Sequence, residues 1–307
     1  MEAHGYHPQR VIGRGAFGQA VLVRGKDRQQ YVCKKIDLTG LPDSERQGAL
    51  NEIRVLRQMC HPNIVRYHDS FQEDGLLVIV LEYADSGDLD ALLHKQKVKL
   101  TESRILSLFV QICRALQHVH AKKILHRDLK GQNIFLTNNA QTVKLGDFGI
   151  STVLRATAAM AMTQCGTPYY FSPELCQNRP YNSKSDIWSL GCILYEMMTL
   201  RRPFEASNVP MLVQNICRGQ YKPLPLTFSP KLRGLAEAML ILDPKKRPSV
   251  HQILRLPLWD GLAEPEGPTV PVASEPIRAA GLPSKAAHAR ADRALPPPPP
   301  PPAPAVQ

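Results

Sequence analysis

The alternation of apolar and polar positions changes character once along the chain. In the first eighty residues, 11–13, 20–23 and 31–36 are short β-rich runs broken by glycine and charge. Residues 76–81 form a continuous apolar run of the length of a buried strand. One helix interrupts them: Ser44 and Gln47 have capping-box spacing, and Ala49, Ile53 and Leu56 recur at helical intervals up to about Met59. After Gly87 the pattern is helical. Thr101 opens a long helix in which Ile105, Leu108, Phe109, Ile112, Leu116 and Val119 make a broad apolar stripe, and residues 186–200 read as another, mostly buried helix. From Gly261 onward alanine, proline and glycine dominate and large apolar side chains are scarce. Such a segment cannot bury enough surface to offset chain entropy, so it is predicted to be disordered.

The pattern predicts an α+β, two-lobed architecture: a β-rich N-lobe over about residues 1–81, a connector at 82–86 and an α-rich C-lobe over 87–260. Together these make one domain over 1–260, with a disordered proline-rich tail over 261–307. No internal repeat is visible.

Composition narrows the function classes. No apolar run approaches the ~18 residues of a membrane span, and the N-terminus lacks a signal-peptide pattern. The seven cysteines are odd in number and scattered, which predicts reduced thiols inside a cell rather than a disulfide framework or zinc site. The net charge of +11 falls mostly in residues 82–260, without a Lys/Arg run or a nucleic-acid module. A solvated basic surface is expected, and no specific nucleic-acid partner.

The chemistry concentrates in His126-Arg127-Asp128-Leu129-Lys130-Gly131-Gln132-Asn133, with Asp147-Phe148-Gly149 beginning fourteen residues after Asn133, one short hairpin away. A carboxylate, a lysine and an amide this close, then a second carboxylate, suit phosphoryl transfer. Asp128 can orient a hydroxyl and take its proton, Lys130 can sit against the moving phosphate, and Asn133 and Asp147 offer oxygen ligands to Mg²⁺. Gly13-Arg14-Gly15-Ala16-Phe17-Gly18 is a GxGxxG sequence, weak evidence alone because dinucleotide-binding folds use the same device. Here a strand rather than a helix follows the glycines, and Lys34 lies on the next strand. That context favours ATP over a dinucleotide. Lys34 is placed to contact phosphates, with Glu52 on the following helix as its acidic partner.

These stretches, in this order, resemble a eukaryotic protein kinase domain from residue 10 to about 260, and the NIMA-related serine/threonine kinases in particular. The resemblance rests also on Gly166-Thr167-Pro168-Tyr169-Tyr170-Phe171-Ser172-Pro173-Glu174, Asp186-Ile187-Trp188-Ser189-Leu190-Gly191 and Arg247-Pro248-Ser249. It implies an adenine slot between Ala20 and Val32 above and Phe135 below. Leu81 would be the gatekeeper, Glu82 and Ala84 would offer backbone hydrogen bonds to adenine, and Asp88 would reach the ribose or cap a helix. Gly131 departs from the proline common at its position.

The resemblance further implies ATP and Mg²⁺ as cofactors, protein substrates, and an activation loop phosphorylated at Thr163, with Arg127 waiting for the phosphate. Lys130 and Thr167 fit serine/threonine specificity. Glu174 and Arg247 are expected to form a buried structural ion pair. A cytoplasmic location is expected, with cytoskeleton, cilium or nucleus as family alternatives. In the tail, Arg293, Pro296 and Pro299 have the spacing of an SH3 ligand within residues 293–302, a run that also suits WW or profilin-like grooves. The competing reading is a pseudokinase or scaffold acting through that tail, which the filled catalytic positions do not favour.

Overall fold

The computed structural model describes residues 1–15, 18–39, 42–95, 97–147 and 168–262, and for 15, 43–45 and 49–52 the backbone alone. Five antiparallel strands form the first sheet: β1 (His7–Gly15), β2 (Gly18–Arg24), β3 (Gln30–Asp37), β4 (Tyr67–Glu73) and β5 (Leu76–Glu82), in the order β1-β2-β3-β5-β4. The central strands show why they pair. Cys33, Val78 and Val80 pack with Val21 and Val23 on one face, while Ile36, Leu77 and Ile79 enter the main core on the other. This is the two-residue alternation of a pleated sheet buried on both sides.

Two findings differ from the sequence pattern at the sheet edges. β1 begins at His7, not at residue 11, and carries Pro8. An edge strand tolerates a proline because one row of its backbone groups faces no neighbour. β4, which has no apolar alternation to announce it, is the other edge strand and is held by backbone pairing to β5.

Helix α1 spans Asp43–Arg57 with Pro42 in the cap position, so Ser44, expected from the sequence to cap the helix, is not its N-cap; the Ser44 side chain lies outside the described residues. The helix starts two residues earlier than that cap would require, so the Ser44 backbone already lies inside it. Glu82 ends β5, and the connector then pairs with the second lobe: Ser86 N–H donates to Leu136 C=O, and Leu136 N–H donates to Gly87 C=O.

The second lobe is built on α2 (Glu102–Ala121), capped by the Thr101 side chain, and on α4 (Ser183–Thr199). In α4 every residue from Ser185 to Met198 is buried, which explains its lack of an amphipathic signature. A capping box of Asn182 and Ser185, not read from the sequence, starts it. Around these lie the β6 (Ile134–Thr137) and β7 (Thr142–Leu145) hairpin, α3 (Pro173–Cys176), α5 (Val209–Arg218), α6 (Pro230–Met239) and α7 (Val250–Leu254). One continuous core runs from Ile53, Leu56 and Ile79 through the α2 stripe to Leu190 and Ile253. The described residues all belong to one compact unit, and the proline-rich tail lies outside them.

Among the described residues no helix is long and apolar enough to cross a membrane. Cys33, Cys113 and Cys192 are buried thiols, and burial pushes Cys33 up to about 11.

Candidate active site

The predicted residues converge where the two lobes meet. Asp128 Oδ2 accepts from Lys130 Nζ at 2.8 Å and from Asn133 Nδ2 at 2.9 Å, and Asn133 Nδ2 also reaches the Asp128 carbonyl at 2.8 Å. One carboxylate oxygen is thus held from two sides. Asn133 is buried in the turn that leads into β6, with its amide nitrogen committed to Asp128.

From the other lobe, Lys34 on β3 donates to Asp147 Oδ1 at 2.8 Å, bridging 113 residues of sequence. Burial pushes the Asp147 carboxyl up, but the Lys34 ammonium outweighs it and holds the group below its ordinary value. Glu52 lies on α1, and its side chain falls outside the described residues.

Both Arg127 (φ 68°) and Asp147 (φ 52°) are non-glycine residues in the left-handed region. Such backbone costs about 1–3 kcal/mol per residue and persists only where its surroundings over-determine it. Asp186, at the start of α4, does this for the catalytic loop. It accepts the backbone N–H groups of His126 and Arg127 at 3.0 Å each and the Tyr181 hydroxyl at 2.5 Å, and it pairs with His120 Nε2 at 2.7 Å. Burial raises its pKa, yet the His120 hydrogen bond and the other partners leave it below 3.8, so it stays an anion in the core.

Asp186 was read from the sequence only as part of a motif. Its anchoring role depends on contacts about sixty positions away that no local pattern reports. His126 is fully buried, burial lowers its pKa, and its Nε2 pairs with Gly146 C=O at 3.1 Å, so it is a neutral spacer rather than a base.

Among the residues expected around adenine, Val32 and Leu81 face each other across β3 and β5, and Ala20 lies opposite Lys34 across β2 and β3. Phe135 on β6 bridges to Asp88, and its ring overlies Gly146 so closely that a Cβ there would fall 2.8 Å from it. Gly146 was not singled out by sequence, although its position before Asp147 is a signal. Glu82 gives its N–H to Arg66 C=O, and its side chain is engaged by Lys144 at 2.6 Å. The Ala84 N–H has no hydrogen-bond partner among the described residues. Asp88 Oδ1 accepts from Ala91 N–H at 2.8 Å, so it caps the following turn with one oxygen and keeps the other.

In the loop above, a Cβ on Gly18 would sit 1.7 Å from Lys35 C=O, so the fold itself demands glycine there. Gly13 is different. A Cβ would only touch Ala20 at 3.6 Å, an ordinary contact, so the sheet does not demand glycine there. Gly15 pairs with Gly18 at the tip of the hairpin. Ala16, Phe17, Phe148, Gly149 and Thr163 lie outside the described residues.

Divalent metal fits the donors present. Among the described residues Asn133 keeps its amide oxygen and Asp147 its second carboxylate oxygen, both hard ligands of the kind Mg²⁺ takes alongside phosphates and water. No cluster of three His, Cys, Asp or Glu side chains exists among the described residues, so the set suits a metal shared with a phosphorylated ligand rather than a closed cage.

Away from the cleft, Arg247 and Glu174 form the expected buried pair, with two parallel hydrogen bonds of 2.8 and 2.9 Å. Tyr67 places its hydroxyl on Ser70 at 2.8 Å and receives Arg57 Nε at 3.2 Å, a packing role.

The sequence matches the family described as "Protein kinase domain" over residues 6–259. It is 48% identical to human "Serine/threonine-protein kinase Nek5" over 259 residues, which cover 84% of this chain and 37% of that protein. Against mouse "Serine/threonine-protein kinase Nek1" the identity is 52% over 245 residues, covering 79% and 20%. Against "Serine/threonine-protein kinase nekl-2" of Caenorhabditis elegans it is 42% over 264 residues, covering 82% and 74%. The matched region is thus well under half of the Nek5 and Nek1 proteins.

Proposed function

The chain belongs to the protein kinase family, in its NIMA-related branch, and from that membership we propose that it transfers the ATP γ-phosphate to serine and threonine hydroxyls of proteins. The observation that carries the reading is the two-sided grip on Asp128. Lys130 and Asn133 hold Oδ2, so Oδ1 is the oxygen that aligns the acceptor hydroxyl and takes its proton. Lys130 then balances charge on the phosphate as the hydroxyl attacks. Lys34 would contact the ligand's phosphates, and Asp147 and Asn133 would hold the metal through the oxygens they keep. When bound, Mg²⁺ neutralises the phosphate oxygens. Ala84 N–H and Glu82 C=O orient adenine, Ala20, Val32, Leu81 and Phe135 enclose it, and Asp88 reaches the ribose.

Two measurements test this together: labelled-phosphate transfer to a peptide library by wild type and Asp147→Ala, and titration calorimetry with Mg·ATP. Transfer by wild type that is lost in Asp147→Ala, with heat on nucleotide addition, is expected. No heat, or an unaffected variant, overturns it.

Phosphorylation of Thr163 is proposed to activate the enzyme through Arg127. Support comes from Arg127 itself, exposed beside the base with no ion-pair partner among the described residues. Thr163→Ala is expected to stay at the unphosphorylated rate, and turnover equal to phosphorylated wild type would refute it. Residues 293–302 are proposed to bind an SH3, WW or profilin-like groove, and a tail-peptide pulldown recovering none of these would end that idea. A cytoplasmic location, with cytoskeleton, cilium or nucleus as alternatives, is proposed on the branch alone.

A further inference from the structure

We propose that the C-lobe carries a docking groove, apart from the catalytic residues, for an acidic peptide segment of a partner protein anchored by aliphatic side chains. The groove is a cavity of about 670 Å³ between α6, α7 and the turn that precedes α7. That volume lies in the range of sites that hold ligands, roughly 300–1,000 Å³. Its floor is Gly234, Leu235 and Ala238 on α6, and Leu256, Pro257 and Leu258 form a wall beyond α7. Leu256 stays 39% exposed, an aliphatic side chain left against water at the edge of the groove.

The rim is basic. Lys184, Lys231, Lys245 and Lys246 contribute, with the buried Arg247 behind them, and no acidic residue lines the site. Two of these cations are already used: Arg247 is locked onto Glu174, and Lys184 Nζ donates to the Arg247 carbonyl. The other three, Lys231, Lys245 and Lys246, are exposed and have no ion-pair partner among the described residues. Three unpaired ammonium groups around an apolar trough match a segment that presents carboxylates beside aliphatic anchors.

Gly234 supplies an independent sign. It sits inside α6, where glycine costs about 0.5–1 kcal/mol relative to alanine. The fold gives no reason for it, because an added Cβ would meet nothing within 4 Å. The missing side chain keeps the floor open for an occupant.

The test pans the full-length chain with a displayed random 12-residue peptide library. Enriched peptides are expected to combine Asp or Glu with spaced Leu, Ile or Val. Their affinity should fall at least tenfold on Lys231→Glu with Lys246→Glu, and at least fivefold on Gly234→Gln, which fills the floor. Both variants should keep the wild-type melting midpoint and the rate on a short peptide substrate. Enrichment without acidic bias overturns the proposal, as does binding indifferent to both variants. Binding of phosphatidylserine vesicles through the same lysines with no peptide enriched also overturns it.

Discussion

Two ion pairs in this protein have the same 2.8 Å contact and opposite characters. Arg247–Glu174 is sealed, with side chains 0% and 3% exposed, while Lys34–Asp147 is open, at 29% and 39%. The sealed pair is saturated. Arg247 also donates to the carbonyls of Ile241, Lys184 and Leu242 and lies over the Trp188 ring, and Glu174 receives the Ser185 hydroxyl. Nothing is left for a ligand. The open pair uses one oxygen of Asp147, and solvent reaches both partners, so a phosphate or a metal can exchange into it. Identical charges and distance therefore give a rivet in one place and a switchable contact in the other. Desolvation and the number of remaining bonds make the difference.

The largest expected effect breaks the rivet. Arg247→Met leaves Glu174 buried without its partner, and stability should drop by about 3–5 kcal/mol, read as a lower denaturant midpoint. Next, Lys34→Met should slow phosphate transfer by about 10²–10³-fold, the usual scale for losing one electrostatic contact to the transition state. Its melting midpoint should move less than that of Arg247→Met, since a pair that keeps partial contact with solvent contributes less than a sealed one. A large loss of stability in Lys34→Met would erase the contrast.

Acid titration sharpens it further. Glu174 and Asp186 are driven up by burial, yet their partners hold them below the ordinary 4.5 and 3.8. Their contribution is therefore complete above those ordinary values and lost as pH falls through the lower folded ones. The wild-type midpoint should fall below about pH 4. The double variant Glu174→Leu/Arg247→Met should fall less steeply there. At neutral pH that double variant gives the smallest effect: it should recover most of the single-variant loss, because removing both charges removes the desolvation cost as well. A double variant as unstable as Arg247→Met would mean that the pair itself, not the avoidance of a lone charge, supports the lobe.

What was legible in the sequence follows from distance along the chain. Asp128, Lys130 and Asn133 lie within six residues, so their spacing already implies a shared site, and a short turn is enough to join them. The α2 stripe was legible because one face of a helix repeats every three or four residues. The sheet edges were less so: β1 was read only over 11–13 and β4 not at all, since backbone pairing holds them without a sustained apolar period in their side chains.

By itself the sequence determined the two-lobed class, the central strands, the long helices and the local catalytic spacing, all of which rest on periodicity or on near neighbours. Only the tertiary structure decided that Lys34 meets Asp147, that Asp186 pins the amides of His126 and Arg127, and that Lys231, Lys245 and Lys246 stay exposed near the sealed Arg247. Those outcomes depend on which surfaces lose water when distant segments pack, and no spacing along a chain encodes that.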